Sequence, residues 1–246
     1  VPAIDYALQM RRIDRAQQMD VLVQQNKMFV AQMEQLAVVL ADFHRKVILP
    51  PELGFQPAVF WTDFAELYQV QNDIETQLGA NALNQFLSWR NFLPGFLEQH
   101  SARLTERRQQ GYWVDGHGDL HTRNIFLPAS GPVVFDCVEF SAHFRQSDLL
   151  NEVAFLCMDL EAQAQPALAD AFLRAYCQRW ELFPKAEDRL LFIFFKAYRA
   201  NIRLKIYLLE MQQHAAPFLK KQVQSYWKLM AEYIEALQRN YIPGNN

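Results

Sequence analysis

Along most of the chain, apolar residues recur every three or four positions, the spacing of one face of an α-helix. Phe29, Met33, Leu36, Leu40, Phe43 and Val47 form one such stripe, and the prolines of "PPELGF" (Pro50 to Phe55) end it. Further helices are predicted over 65–78 and 80–110, the second broken or kinked at Pro94 and stopped by Gly111. Between Tyr112 and Phe140 the pattern changes. "YWV", "NIFL" and "PVVFD" are short runs rich in β-branched and aromatic residues, and "PASGP" (Pro128 to Pro132) joins the last two as a hairpin. Helices then resume over 147–164, 167–180, 186–211 and 217–239. Leu219, Val223, Tyr226, Met230, Tyr233 and Leu237 stripe the last of these, and "LLFIFF" within the third belongs to the core. The expected fold class is mainly α with a small β-hairpin (α+β), as one domain over 1–246. The segment 112–140 carries a polar loop and the hairpin.

Composition narrows the function only a little. Of 246 residues about half are hydrophobic (51%), enough for a sizeable core. Lys plus Arg is 24 against 27 for Asp plus Glu, a formal charge of −3, so no nucleic-acid partner is expected. Cys137, Cys157 and Cys177 form no CxxC pair and are odd in number. That argues against a disulfide framework or a cysteine zinc site, and it suits a reducing cytoplasm. Cys137 is expected to be a small buried filler. The first residues lack an apolar stretch of signal-peptide length, and the longest apolar run, Leu190 to Phe195, is too short for a bilayer, so no membrane association is expected.

The chemistry concentrates in "HGDLHTRN", His117 to Asn124, and in "VVFDCVEF" just beyond it. His117 and His121 are four apart, as in a helical zinc site, but Gly118 stands where a zincin needs its glutamate, and the segment lies between strand-like runs. A phosphoryl-transfer loop fits better. Its H-R-D-x-x-x-x-N form and a later aspartate at a strand end match His117, Asp119, Asn124 and Asp136. The hairpin folds Asp136 back beside Asn124, so two oxygen ligands converge on one cation while Asp119 stays free to accept a proton. The competing structural reading makes Asp119 and Asn124 turn caps and Asp136 a strand end. Each residue alone supports it; the combined spacing does not.

"HGDLHTRNIF" together with "VVFDCVEF" resembles the aminoglycoside phosphotransferase and choline kinase-like family, within the protein-kinase-like fold. Gly118 in place of the kinase arginine is usual in that group. "SDLLNEVAFLCMDLEA" and "KAYRANIRLK" resemble a bacterial subgroup often fused to a P-loop kinase domain. The resemblance implies ATP and Mg²⁺ as cofactors and a small-molecule acceptor. It implies Asp119 as catalytic base, Asn124 and Asp136 as Mg²⁺ ligands, and His117 and His121 in organising or supporting roles. Asp148 is expected to brace the loop by bonding its backbone.

The likeness covers the helical C-terminal lobe of such a fold. "AIDYALQM" resembles the hinge strand, with residues 1–10 as its remnant, and the N-terminal β-lobe with its phosphate-covering loop is not found in the sequence. The isolated chain is therefore expected to bind ATP weakly and to turn over negligibly. The alternative is a non-catalytic pseudokinase-like module that binds or regulates a partner domain; a fused or separate P-loop kinase domain is the partner the resemblance implies. Glu152 and Asp159 form an acidic stripe with Asp148, while Lys196, Arg199 and Arg203 form a basic one. These stripes could bind substrate. The favoured expectation is that they pair with each other across the core.

Overall fold

The computed structural model describes residues 12–51, 56–214 and 216–240. The hinge remnant expected over 1–10 lies outside them. Ten α-helices are present among the described residues: α1 (Met19–Gln24), α2 (Val30–His44), α3 (Pro57–Ala65), α4 (Gln71–Leu78), α5 (Ala80–Gln109), α6 (Ala142–Arg145), α7 (Leu149–Ala162), α8 (Pro166–Arg179), α9 (Glu187–Gln213) and α10 (Pro217–Asn240). Proline opens α3, α8 and α10, where its missing N–H costs no helical bond and its fixed φ suits the first turn. The fold class is as expected, mainly helical with a small hairpin.

Four short strands interrupt the helices: β1 (Trp113–Asp115), β2 (Ile125–Phe126), β3 (Val133–Val134) and β4 (Gln146–Asp148). β2 and β3 form the hairpin over "PASGP". β1 pairs antiparallel with β4, with Trp113 opposite Asp148 and Asp115 opposite Gln146. The polar loop and the hairpin therefore leave and return through one two-stranded base. An Asp115–Arg145 ion pair ties that base together.

α7 is the central helix. Every residue from Leu149 to Leu160 is buried, and α8, α9 and α10 pack around it while α2 lies on α8. "LLFIFF" lies in α9, with Leu191, Phe192, Phe194 and Phe195 buried. All six stripe residues of α10 are buried too.

Four expectations need correction. α5 runs on through Pro94 without a break, because α3 and α4 pack against a helix that loses one backbone bond there. The region 56–78 holds two α-helices joined by a 3-10 turn, beginning well before residue 65. On α2 the buried face is Met33, Leu36, Ala37, Leu40, Ala41 and His44, while Phe29 and Phe43 are exposed. The face follows the 3.6-residue period through small residues instead of through the larger aromatics. Cys137 is exposed, because it follows β3 on the irregular rim beyond the hairpin.

Candidate active site

Two carboxylates of α7 shape the loop 116–124. Glu152, fully buried, accepts from the backbone N–H groups of His117 (2.5 Å) and Gly118 (3.1 Å). Seven residues on, Asp159 accepts from the Thr122 N–H (2.9 Å), the Thr122 hydroxyl (2.7 Å) and the Tyr226 hydroxyl (2.6 Å). Spacings of seven put both carboxylates on one helix face, so α7 grips the loop at both ends. The close approach demands glycine. A Cβ on Gly116 would lie 2.9 Å from the Glu152 carboxylate, and one on Gly118 would lie 2.9 Å from the Phe144 carbonyl. Gly118 also has φ +78°, a conformation that side chains disfavour.

Both carboxylates stay ionised for reasons visible in their surroundings. Burial pushes the Glu152 pKa up, but His44, at 3.8 Å, together with Arg199 and His117, outweighs it and the net shift is downward. For Asp159 burial also works upward and is outweighed by His121, Arg203 and the Tyr226 and Thr122 hydrogen bonds.

These contacts revise two expectations. The acidic and basic stripes do not form ion pairs with each other through Glu152, Asp159, Arg199 or Arg203. Among the described residues only Lys196 of the basic stripe finds a carboxylate, Glu161 at 3.0 Å, which lies outside the named acidic stripe. The loop's backbone amides were closer partners for the α7 carboxylates than the α9 cations. Asp148 does not bond the loop backbone either. It takes a two-pronged ion pair from Arg107 (2.8 and 2.9 Å) and caps α7 through the Leu150 N–H, because its position at the end of β4 turns it toward α5. The bracing role falls to Glu152.

Between the anchors the side chains converge. His117 lies between its Nε2 contact with the Phe135 carbonyl (2.8 Å) and the Asp119 N–H (3.2 Å) at its Nδ1, tying the loop to the end of β3. His121 caps the 3-10 turn 122–124, accepting from the Arg123 N–H at Nδ1. Its Nε2 lies 3.2 Å from Asp119 Oδ2. Asn124 spends both Nδ2 hydrogens on Asp119, one to the backbone oxygen and one to Oδ2, each at 2.9 Å. That fixes the amide, whose Oδ1 accepts no hydrogen bond from the described residues. Asp119 Oδ1 accepts no hydrogen bond from the described residues, and the side chain is 38% exposed. Burial pushes the Asp119 pKa up, but His121 beside it, then Arg203 and Arg199, hold it down at about 2.

Asn124 and Asp136 line one cavity of about 360 Å³, together with His121, Arg123, Arg203, Gln18 and two phenylalanines, Phe126 and Phe135. Asp136 has φ +63°, a left-handed conformation in which Asp and Asn are the tolerated side-chain-bearing residues. Its carboxylate takes no hydrogen bond or ion pair from the described residues. A non-glycine residue held in this region beside open donor and acceptor groups is the kind of strain that collects at functional sites.

The pattern of a phosphotransferase enzyme family matches residues 8–189. The chain belongs to that phosphotransferase family. Proteins of Mycobacterium bovis and Mycobacterium tuberculosis, both described as uncharacterized, are 31% identical to it over 185 residues. The match takes in 71% of this chain and 34% of each relative, so the chain spans about a third of the length of the curated relatives it matches.

For a phosphotransferase, the donor set suits a small hard cation. Asn124 Oδ1 and the Asp136 carboxylate take no hydrogen bond from the described residues, and both residues line one cavity. Mg²⁺ is commonly held by one or two protein groups and completes its shell with phosphate and water oxygens. Among the described residues no group of three or more His, Cys, Asp or Glu side chains could hold a metal alone. The His44–Glu152 contact escaped sequence reasoning, because 108 positions separate an isolated histidine from an acid in an apolar helix. No helix among the described residues is long and apolar enough to cross a membrane.

Proposed function

We propose that this phosphotransferase moves a phosphoryl group from ATP, with Mg²⁺, to a hydroxyl of a small molecule. One observation carries the reading: Asn124 orients Asp119 with its amide hydrogens and lines one cavity with Asp136. Mg·ATP would supply the phosphoryl group and the charge neutralisation. Asn124 and Asp136 would hold the cation, and the open Asp119 Oδ1 would accept the acceptor's O–H.

As the acceptor oxygen bonds to the terminal phosphorus, the bond from that phosphorus to the bridging oxygen breaks and ADP leaves. The hydroxyl proton passes to Asp119. A carboxylate with a pKa of about 2 is a weak base, so Asp119 chiefly orients the hydroxyl and takes the proton late. That suits a loose transition state that needs little help from the nucleophile.

The activity is assigned to the whole protein, in keeping with relatives much longer than the matched region. A fused or separate P-loop kinase domain as partner, and a cytoplasmic location, belong to the same proposal. The test is turnover by the full-length protein against a panel of small hydroxyl compounds, read by ³¹P NMR. Asp119→Asn should lower kcat by roughly 10²–10⁴-fold. Nucleotide binding with no phosphorylated product from any acceptor would favour the non-catalytic module.

A further inference from the structure

Arg203 projects from α9 into the cavity that holds Asn124 and Asp136, yet it is only 6% exposed. Its guanidinium is fixed by protein and makes no ion pair among the described residues. It donates to the Tyr207 hydroxyl (2.7 Å) and lies 4.9 Å from the Tyr207 ring centroid and 5.9 Å from that of Tyr226. Its Nε finds no hydrogen-bond partner among the described residues. No described carboxylate comes within ion-pair distance of it; the nearby acid, Asp159, is occupied by Thr122 and Tyr226.

A buried cation in that state is costly unless something anionic completes it. The aromatic contacts hold the planar group in place, and a planar guanidinium is the side chain best shaped to take two oxygens of a phosphate or carboxylate. The cavity's own charge points the same way. Arg123 and Arg203 line it against the single carboxylate of Asp136, and a bound divalent cation would add to the positive excess.

We propose that Arg203 makes this cavity an oxyanion subsite, taking a phosphate or carboxylate oxygen of the substrate beside Asp119. The placement beside Asp119 rests on the phosphotransferase reading; the anion binding does not. Two sources share this chemistry: the phosphoryl group in transit, or an anionic substituent on the acceptor. In either case a neutral or anionic acceptor is favoured over a polycationic one.

The probe is inorganic phosphate, titrated into the full 246-residue chain by calorimetry and ³¹P NMR. The expected result is saturable one-site binding that weakens roughly tenfold or more in Arg203→Met, the loss typical of a hydrogen bond to a charged group. Arg203→Lys should fall between the two, and Arg123→Gln, at the exposed rim, should change affinity less than Arg203→Met does. Circular dichroism melts establish which variants are folded, and if Arg203→Met is not, Arg203→Lys carries the comparison.

Repeating the titration with Mg·ADP and with a Mg-bound non-hydrolysable ATP analogue separates the sources. Phosphate displaced only by the triphosphate marks the group in transit, and phosphate bound beside the triphosphate marks the acceptor's anion. No saturable phosphate binding by the parent, or equal affinity in a folded Arg203 variant, overturns the subsite. That failure is separate from failure of the phosphotransferase reading, which turnover by the full-length protein decides.

Discussion

Two pairs of buried arginines, each spaced four residues apart on a long helix, are treated in opposite ways. Arg103 and Arg107 on α5 are saturated. Arg103 takes Asp188 through two nitrogens at 2.8 Å and Glu106 through the third at 2.7 Å. Arg107 takes Asp148 through two, the Leu182 carbonyl through the third, and Asp188 at 3.2 Å. Arg199 and Arg203 on α9 have no carboxylate within 4 Å among the described residues, and each keeps a buried nitrogen without a partner. Arg199 does bond the Asn151 side chain and the Gly118 carbonyl, beneath the loop. Paired charge joins the ends of α5, α7 and α9 into a scaffold. Unpaired charge marks the side of α9 that faces the site.

The sharpest way to break this contrast is to remove a partner from the saturated pair. Arg107→Met leaves Asp148 and Asp188 buried with less compensation, and breaking a buried pair in this way costs about 3–5 kcal/mol. A large drop in the denaturant midpoint is expected; a drop under about 1 kcal/mol would mean the cluster is not a scaffold.

Glu152→Gln should cost less, about 1–3 kcal/mol, because the loop amides keep one acceptor while the other meets a donor. Urea unfolding checks it, and an unchanged midpoint would remove Glu152 as the loop's anchor.

Acid should act through the same groups. Glu152, Asp159 and Asp188 have folded pKa values below their ordinary ones; in each, burial opposes the shift and loses to neighbouring cations and hydrogen bonds. Groups shifted downward add stability above their unfolded pKa values, about 3.9 for Asp and 4.3 for Glu, and lose it as pH falls through the folded values. The thermal midpoint should thus hold from neutrality to about pH 5 and fall below about pH 4. A fall between pH 7 and 5 would point to other groups.

Arg203→Met should have the smallest effect on stability, within about 1 kcal/mol, because no close ion pair among the described residues is lost. A loss as large as that of Arg107→Met would place Arg203 in the scaffold and erase the contrast.

Much of the candidate site's geometry was legible in the chain. Local spacing fixes the offsets of His117, Asp119 and Asn124, and "PASGP" is turn chemistry sufficient to bring Asp136 back to them. α10 was legible because six large side chains repeat on one face without interruption. What escaped reading depends on distant partners. β4 is three polar residues, Gln146, Ser147 and Asp148, that form a strand only because β1 lies opposite. Asp148 and Arg107 are 41 positions apart, and no local pattern says that they meet. Glu152 and Asp159 read as a stripe awaiting cations, but the groups that reach them first are backbone amides whose approach depends on Gly116 and Gly118. Pro57 was a fair signal for the start of α3, masked by the prolines just before it.

The central claim is the division of labour between Asp119 and the pair Asn124 and Asp136. It is tested most directly by titrating Mg²⁺ into the full-length protein while following nucleotide binding, with Asp119→Asn and Asp136→Asn beside the parent. Asp136→Asn should shift the titration to higher Mg²⁺, because a cation ligand is lost. Asp119→Asn should leave it close to the parent's. A shift in Asp119→Asn with none in Asp136→Asn would contradict the assignment.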